Sequence, residues 1–178
     1  MQADGHRNSN DMSKTSRAPS RTMRDLHRLV ESEVLGESLF RVMAKQSDSQ
    51  KRSQAWELLR RLETQTKCGV QQFIERADLP LSGTNRPANI AGTLGGRSLP
   101  HLPWRFQLDA VRLATHRYLP AFRRLANAYQ SSSYSPFFDY VVNHELAMIT
   151  FTEQASTSNA LCLDDVKRLL DKPVPLPD

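Results

Sequence analysis

Four residues able to bind a metal ion or carry a proton stand at matching intervals in the two halves of the chain. Glu63 follows Glu33 by 30 residues, and Glu145 follows His116 by 29 residues. Each falls on a helical stripe whose other members are mostly apolar. Inward carboxylates without a cation repel one another and their pKa values rise, so such a set favours a bound cation. Three carboxylates and one imidazole could hold one iron, manganese or zinc ion.

Glu37 and His144 stand close to this set and complete the candidate metal ligands. His144 and Glu145 are adjacent, and neighbours on a helix point about 100° apart, so only one of them is expected to face the bundle axis. In an apolar bundle, either side chain would have the shifted pKa that general acid–base catalysis uses. A histidine hydrogen-bonded to a neighbouring helix is the favoured interpretation of His144. The sequence identifies no catalytic residue.

Periodic apolar residues predict the helices that position these side chains, and no segment alternates as a strand would. We expect Thr22 to cap the first helix and Pro120 to kink or restart the third. The predicted helices run from Met23 to the turn at Ser47-Asp48-Ser49, from about Gln50 to Arg76, from Trp104 to about Gln130, from Ser135 to about Ala155, and over Leu163–Asp171. The predicted inward stripe of the third helix holds Phe106, Asp109, Leu113, His116 and Pro120.

The chain divides into a tail and one helical domain. Residues 1–22 are polar and are predicted to form a disordered tail, and residues 23–178 form a single domain. Residues 78–104 are rich in Gly and Pro and predict a long crossover loop between two antiparallel helical hairpins. Within this loop, residues 92–96 carry three glycines but lack the Lys-Ser/Thr ending of a P-loop, so a flexible segment is favoured over a phosphate cradle.

Two helical hairpins joined by one long crossover resemble the ferritin-like four-helix bundle, and the resemblance covers residues 23–156. Di-iron carboxylate proteins of that family place a Glu on the first helix and a Glu-x-x-His motif about 30 residues later, and repeat both in the second hairpin. Glu33 and Glu63 match the carboxylates of the first half, and Glu145 matches that of the second motif. The resemblance therefore implies an all-α bundle with a metal-binding pocket.

The match departs from the family pattern at three positions. Thr66 and Met148 stand where the two family histidines belong, and His116 replaces the carboxylate of the third helix. One interpretation is a divergent ferritin-like protein that uses iron or manganese for oxidative chemistry on a small molecule. The other is a non-enzymatic, metal-free helical module that binds a ligand or partner, with a homodimer expected. The loss of both histidines favours the absence of metal.

Composition excludes several further classes of protein. The 178 residues are 39% apolar and 24% charged, which suits one soluble domain, and no run of about 18 apolar residues predicts a membrane span. The polar N-terminus shows no secretory signal, so Cys68 and Cys162 are expected to be reduced thiols in the cytoplasm, with Cys68 in the core. The net charge of +5 includes 19 acidic residues, and no nucleic-acid-binding motif is present, so nucleic-acid binding is not expected.

Overall fold

The computed structural model describes residues 20–158 and 161–177, and every regular element in those ranges is a helix. The helices are α1 (Arg21–Gln46), α2 (Gln50–Arg76), α3 (Arg86–Ser98), α4 (Trp104–Tyr129), α5 (Ser135–Ser158) and α6 (Asp164–Leu170), with a 3₁₀ turn at Leu99–His101. The all-α prediction is therefore confirmed. None of these helices is long and apolar enough to cross a membrane.

The predicted pairing of neighbouring helices is present. The short turn 47–49 folds α2 back against α1, α5 packs against α4, and α1 also contacts α4. The helix α6 packs against both α2 and α5 and so covers the seam between them. The first helix begins earlier than predicted, because Ser20 rather than Thr22 accepts the capping hydrogen bond from the Met23 amide at 3.1 Å. Most of the predicted tail, residues 1–19, lies outside the described residues.

The connection between the hairpins contains a helix that the sequence did not predict. Asn85 caps α3 by accepting a hydrogen bond from the Ala88 amide at 3.0 Å. The glycines act here as small packing residues: a Cβ on Gly92 would lie 2.3 Å from the carbonyl oxygen of Leu35 in α1. The prediction of an irregular crossover loop was therefore wrong over residues 86–101, since α3 packs closely on α1.

The buried face of α4 also differs from the predicted stripe, and α4 continues through Pro120 without a break in the helix. The predicted stripe of Phe106, Asp109, Leu113, His116 and Pro120 is exposed. The buried face consists of Trp104, Gln107, Leu108, Val111, Thr115, Tyr118, Leu119, Ala121, Phe122 and Leu125. Both faces contain apolar residues at helical spacing, so periodicity alone could not choose between them. Cys68, predicted in the core, is exposed on α2.

Two apolar layers with a polar layer between them form the core. One apolar layer surrounds Trp56 and Met43, and the other surrounds Phe73 and Phe122. Along each of α1, α2, α4 and α5, buried polar residues separate the part of the helix in the first layer from the part in the second. We call this set the polar layer: Glu33, Glu63, Thr66, Thr115, His144 and Glu145. The helix pairing therefore brings three carboxyl groups and one imidazole to one level of the bundle.

Candidate metal centre

Four titratable side chains of the polar layer are almost completely removed from solvent. Glu33 from α1, Glu63 from α2, and His144 and Glu145 from α5 are 0%, 3%, 0% and 2% exposed. Both adjacent residues of α5 are buried, because this helix is covered on more than one side. The prediction that only one of them would be internal was thus too restrictive. The predicted convergence of Glu33 and Glu63 on the core is present.

Three of these side chains are close enough together to share one ion. His144 Nε2 lies 3.8 Å from Glu63 Oε1, and His144 Nδ1 lies 3.9 Å from Glu33 Oε2. One ligand atom from each of the three residues can be chosen so that all lie within 4.8 Å of one another. Two atoms that each bind the same ion at about 2.0–2.2 Å are at most about 4.4 Å apart. Small side-chain adjustments therefore suffice to form a coordination site.

Polar atoms in this cluster lack hydrogen-bond partners. Glu33 Oε2, His144 Nε2 and Glu145 Oε2 are buried and have no partner among the described residues. No Lys or Arg of the described chain forms an ion pair with Glu33, Glu63 or Glu145. Unsatisfied buried polar atoms are uncommon and costly in folded proteins. A cation bound between Glu33, Glu63 and His144 would give partners to the carboxylate oxygen of Glu33 and the imidazole nitrogen of His144.

Burial shifts the pKa of each group toward its neutral form. It raises the pKa of Glu33 to about 8, against weaker opposing effects of hydrogen bonds from Glu63 and Ser32. Burial also raises the pKa values of Glu63 and Glu145, and the negative charge of Glu33 adds to both shifts. The pKa of His144 is lowered to about 3 by burial. Without a cation, burial therefore favours the protonated carboxyl groups and the neutral imidazole.

Thr66 is the hydrogen-bond partner of one ring nitrogen of His144. Its Oγ1 lies 3.0 Å from the carbonyl oxygen of Leu62 and 3.0 Å from His144 Nδ1. When the single hydroxyl proton is donated to the carbonyl, the hydroxyl accepts from His144 Nδ1–H, and Nε2 then presents its lone pair toward Glu63. A metal-binding histidine commonly donates its other ring N–H in this way, which fixes the ring orientation.

Gly36 provides the space that the Glu63 carboxylate occupies. A Cβ at this position of α1 would lie 2.3 Å from Glu63 Oε1 and 2.7 Å from Oε2. Any larger residue would displace the carboxylate toward the rest of the polar layer. Nothing in the sequence singles out this glycine, since its role depends on the approach of α2 to α1.

A narrow crevice between α1 and α4 leads to the polar layer. Its volume is about 30 Å³, and its lining is mostly apolar, with Ser32, Thr115, Glu63 and Glu145 among the polar residues. Such a volume accommodates about one or two water molecules. Tyr118 also lines it and donates a hydrogen bond to Glu31 at 3.0 Å; burial raises the pKa of this phenol to about 12. The crevice thus gives a very small molecule a route to two of the carboxyl groups.

Two candidate ligands predicted from the sequence are not in this cluster. His116 lies on the exposed face of α4, one position beyond the buried Thr115, so its predicted inward orientation was wrong. Glu37 is half-buried, forms an ion pair with Lys67 and accepts a hydrogen bond from Thr64 at 3.0 Å. Burial acts to raise the pKa of Glu37, but Lys67, Thr64 and Arg41 together outweigh that effect and the pKa is lowered. Neither His116 nor Glu37 therefore contributes a ligand atom to the cluster.

His144 takes the position in the cluster that the sequence had assigned to His116. The sequence could have indicated Thr66 as the hydrogen-bond partner of His144. Thr66 stands three residues after Glu63 and therefore lies one helical turn further along the same face of α2. Comparison with models of protein families, with curated proteins and with solved structures finds no match for this chain. The functional argument therefore depends on the geometry of the polar layer.

Proposed function

We propose that this protein is a ferritin-like helical bundle that binds one divalent transition-metal ion in its polar layer. Glu33, Glu63 and His144 are the proposed ligands, and Glu145 lies beside them. The observation that carries the proposal is the group of buried, unpartnered atoms Glu33 Oε2, His144 Nε2 and Glu145 Oε2. Carboxylate oxygens and one imidazole nitrogen suit iron, manganese or zinc.

Oxidative chemistry on a very small molecule is the activity that we propose for this site. A bound iron or manganese ion would supply redox chemistry within a layer that is closed to bulk water. The crevice between α1 and α4 admits a substrate of a few atoms only, given its volume of about 30 Å³. Glu145 lines both the crevice and the polar layer, and its raised pKa suits it to hold a proton near the reacting molecule.

Metal analysis of the purified protein tests the proposal directly. We expect about one iron, manganese or zinc ion per chain in protein purified without chelator, and a melting temperature that falls on addition of EDTA, because an ion that binds only the folded state stabilises it. Glu63→Gln removes a ligand and should abolish both the stoichiometric metal and the effect of EDTA. Glu75→Gln, on the exposed face of the same helix, is the matched control and should retain both.

A metal-free binding module is the second candidate. It is supported by the raised pKa values of Glu33, Glu63 and Glu145, since protonated carboxyl groups can occupy the layer without a cation. In that case metal added to the purified protein binds with no defined stoichiometry, and EDTA leaves the melting curve of the wild type unchanged. Either result would contradict the metal-binding proposal.

A further inference from the structure

A large cleft in the described part of the chain is separate from the polar layer. It is a cleft of about 940 Å³ where the first turns of α2 meet the start of α4 and the segment that leads into α6. We call it the α2 cleft and define it by Lys51, Arg52, Arg61, Trp104, Leu163 and Lys167. None of the polar-layer residues lines it. Its volume is within the range of small-molecule binding sites, about 300–1,000 Å³.

The α2 cleft carries an uncompensated positive charge. Lys51, Arg52, Arg61 and Lys167 line it, and none of them forms an ion pair within the described part of the chain. Glu57 is the only acidic residue of the lining, and Arg60 holds both of its oxygens, at 2.6 and 2.8 Å. Four cations around one concavity attract a ligand with more than one negative charge.

One of these cations is held in place before any ligand binds. The Arg52 guanidinium lies 4.6 Å from the centre of the Trp104 ring, in a cation–π contact. Trp104 is 8% exposed and packs against Trp56 with ring centres 5.1 Å apart. The guanidinium therefore loses little conformational freedom when it binds an anion, which favours affinity.

The ends of the surrounding elements add two further features. The N-terminus of α2 opens into the cleft at Ser49, which makes no side-chain capping hydrogen bond, and the first turn contains no acidic residue. Such a helix end attracts anions through its free amides. Leu58, Leu161 and Leu163 supply an apolar wall beside the cations. The cleft thus combines a cationic part with an apolar part.

We infer that the α2 cleft binds a small organic phosphate, namely a phosphate ester or diphosphate joined to an aromatic or apolar body. The four cations and the helix N-terminus bind the phosphate groups, with Arg52 as the preorganised donor. The leucines and the alkyl parts of the long side chains cover the body of the ligand. This inference does not depend on metal in the polar layer.

Intrinsic fluorescence reports on this cleft, because the only two tryptophans of the chain are Trp104 in its lining and Trp56 behind it. Titration is done with ADP, pyrophosphate and adenosine in EDTA, so that no metal–nucleotide complex contributes. We expect ADP to bind at least about tenfold more tightly than either part alone. Arg52→Gln should weaken ADP binding by about tenfold or more, as expected for the loss of a charged hydrogen-bond donor.

Matched variants and a second phosphate source complete the test. Lys167→Gln, at an exposed position of α6, should also weaken ADP binding, whereas Arg123→Gln, exposed on α4 outside the cleft, should leave it unchanged. Vesicles of phosphatidylcholine and phosphatidylserine should not bind. The inference is overturned if ADP causes no saturable change, if pyrophosphate binds as tightly as ADP, if both Arg52→Gln and Lys167→Gln bind like the wild type, or if the vesicles bind and ADP does not.

Discussion

Thr66 Oγ1 lies 3.0 Å from His144 Nδ1 and so joins α2 to α5 within the polar layer. The contact fixes the imidazole, whose Nε2 then lies 3.8 Å from Glu63 Oε1. A threonine at this position therefore complements a histidine on the opposite hairpin. The imidazole of the polar layer comes from His144, four residues before Met148 on α5, whereas the family pattern would place histidines at the positions of Thr66 and Met148.

Thr66→Val should destabilise the protein by about 1–3 kcal/mol, because the isosteric side chain leaves the buried His144 Nδ1–H without an acceptor. Urea unfolding of the EDTA-treated protein measures this change. Thr115→Val is the matched control: Thr115 is equally buried, but its hydroxyl bonds only the Val111 carbonyl of its own helix. Equal destabilisation by the two substitutions would show that Thr66 does not support His144.

Gly36→Ala should displace the Glu63 carboxylate, since the new Cβ would lie 2.3 Å from Oε1. We expect a loss of about 1–3 kcal/mol of stability from overpacking, together with weaker metal binding. Gly95→Ala on α3 is the control, because its Cβ would meet only Leu39 Cδ1 at 3.2 Å and alanine favours the helix. Thermal melts and metal titration of both variants distinguish a local effect from a general cost of replacing glycine.

The metal-free protein should become less stable as the pH rises from 6.5 to 8. The pKa of Glu33 is raised to about 8 from an ordinary value of 4.5, so the folded state holds more protons than the unfolded state between these values. The contribution of Glu33 to the free energy of unfolding is complete below pH 4.5 and is lost as the pH rises through 8. The free energy of unfolding then falls by up to about 1.4 kcal/mol per pH unit. Urea unfolding in EDTA across this range measures the slope.

The effect of His144 on stability has the opposite dependence on pH, and it occurs below the range of pH 6.5 to 8. Its pKa is lowered to about 3 from 6.5, so its contribution is present above pH 6.5 and lost as the pH falls toward 3. Glu33→Gln should flatten the decline between pH 6.5 and 8, and Glu75→Gln should not. A stability that is flat or rising over this range in the metal-free wild type would contradict the raised pKa of Glu33.

His144→Ala should abolish stoichiometric metal binding, whereas His116→Ala should leave it intact. His144 is buried among the carboxyl groups, and His116 lies on the exposed face of α4. The exposed substitution is expected to change stability by no more than about 0.5 kcal/mol. Elemental analysis and cobalt(II) absorption spectra of the two variants provide the measurement. Loss of metal in His116→Ala alone would restore the residue set predicted from the sequence.

Helical periodicity by itself determined the class of fold and the place of the long helices. The bounds of α2 match the prediction, and Glu33 and Glu63 lie in the core as their stripes indicated. These features depend on residues three and four apart on one helix, which the sequence contains directly. Glu145 was also recognised for this reason.

Only the tertiary structure decided which face of α4 is buried, because Phe106 and Leu113 give its exposed face an apolar periodicity of its own. The tertiary structure also decided that α3 is a helix. Gly92 and Gly96 suggest a break in a helix, but in the structure they allow α3 to approach the backbone of α1 closely. His144 lies in the cluster and His116 does not, because the orientation of each helix about its own axis decides which of its side chains is buried. A helix carries its periodicity in its own sequence, but the direction of its buried face depends on the partners it packs against.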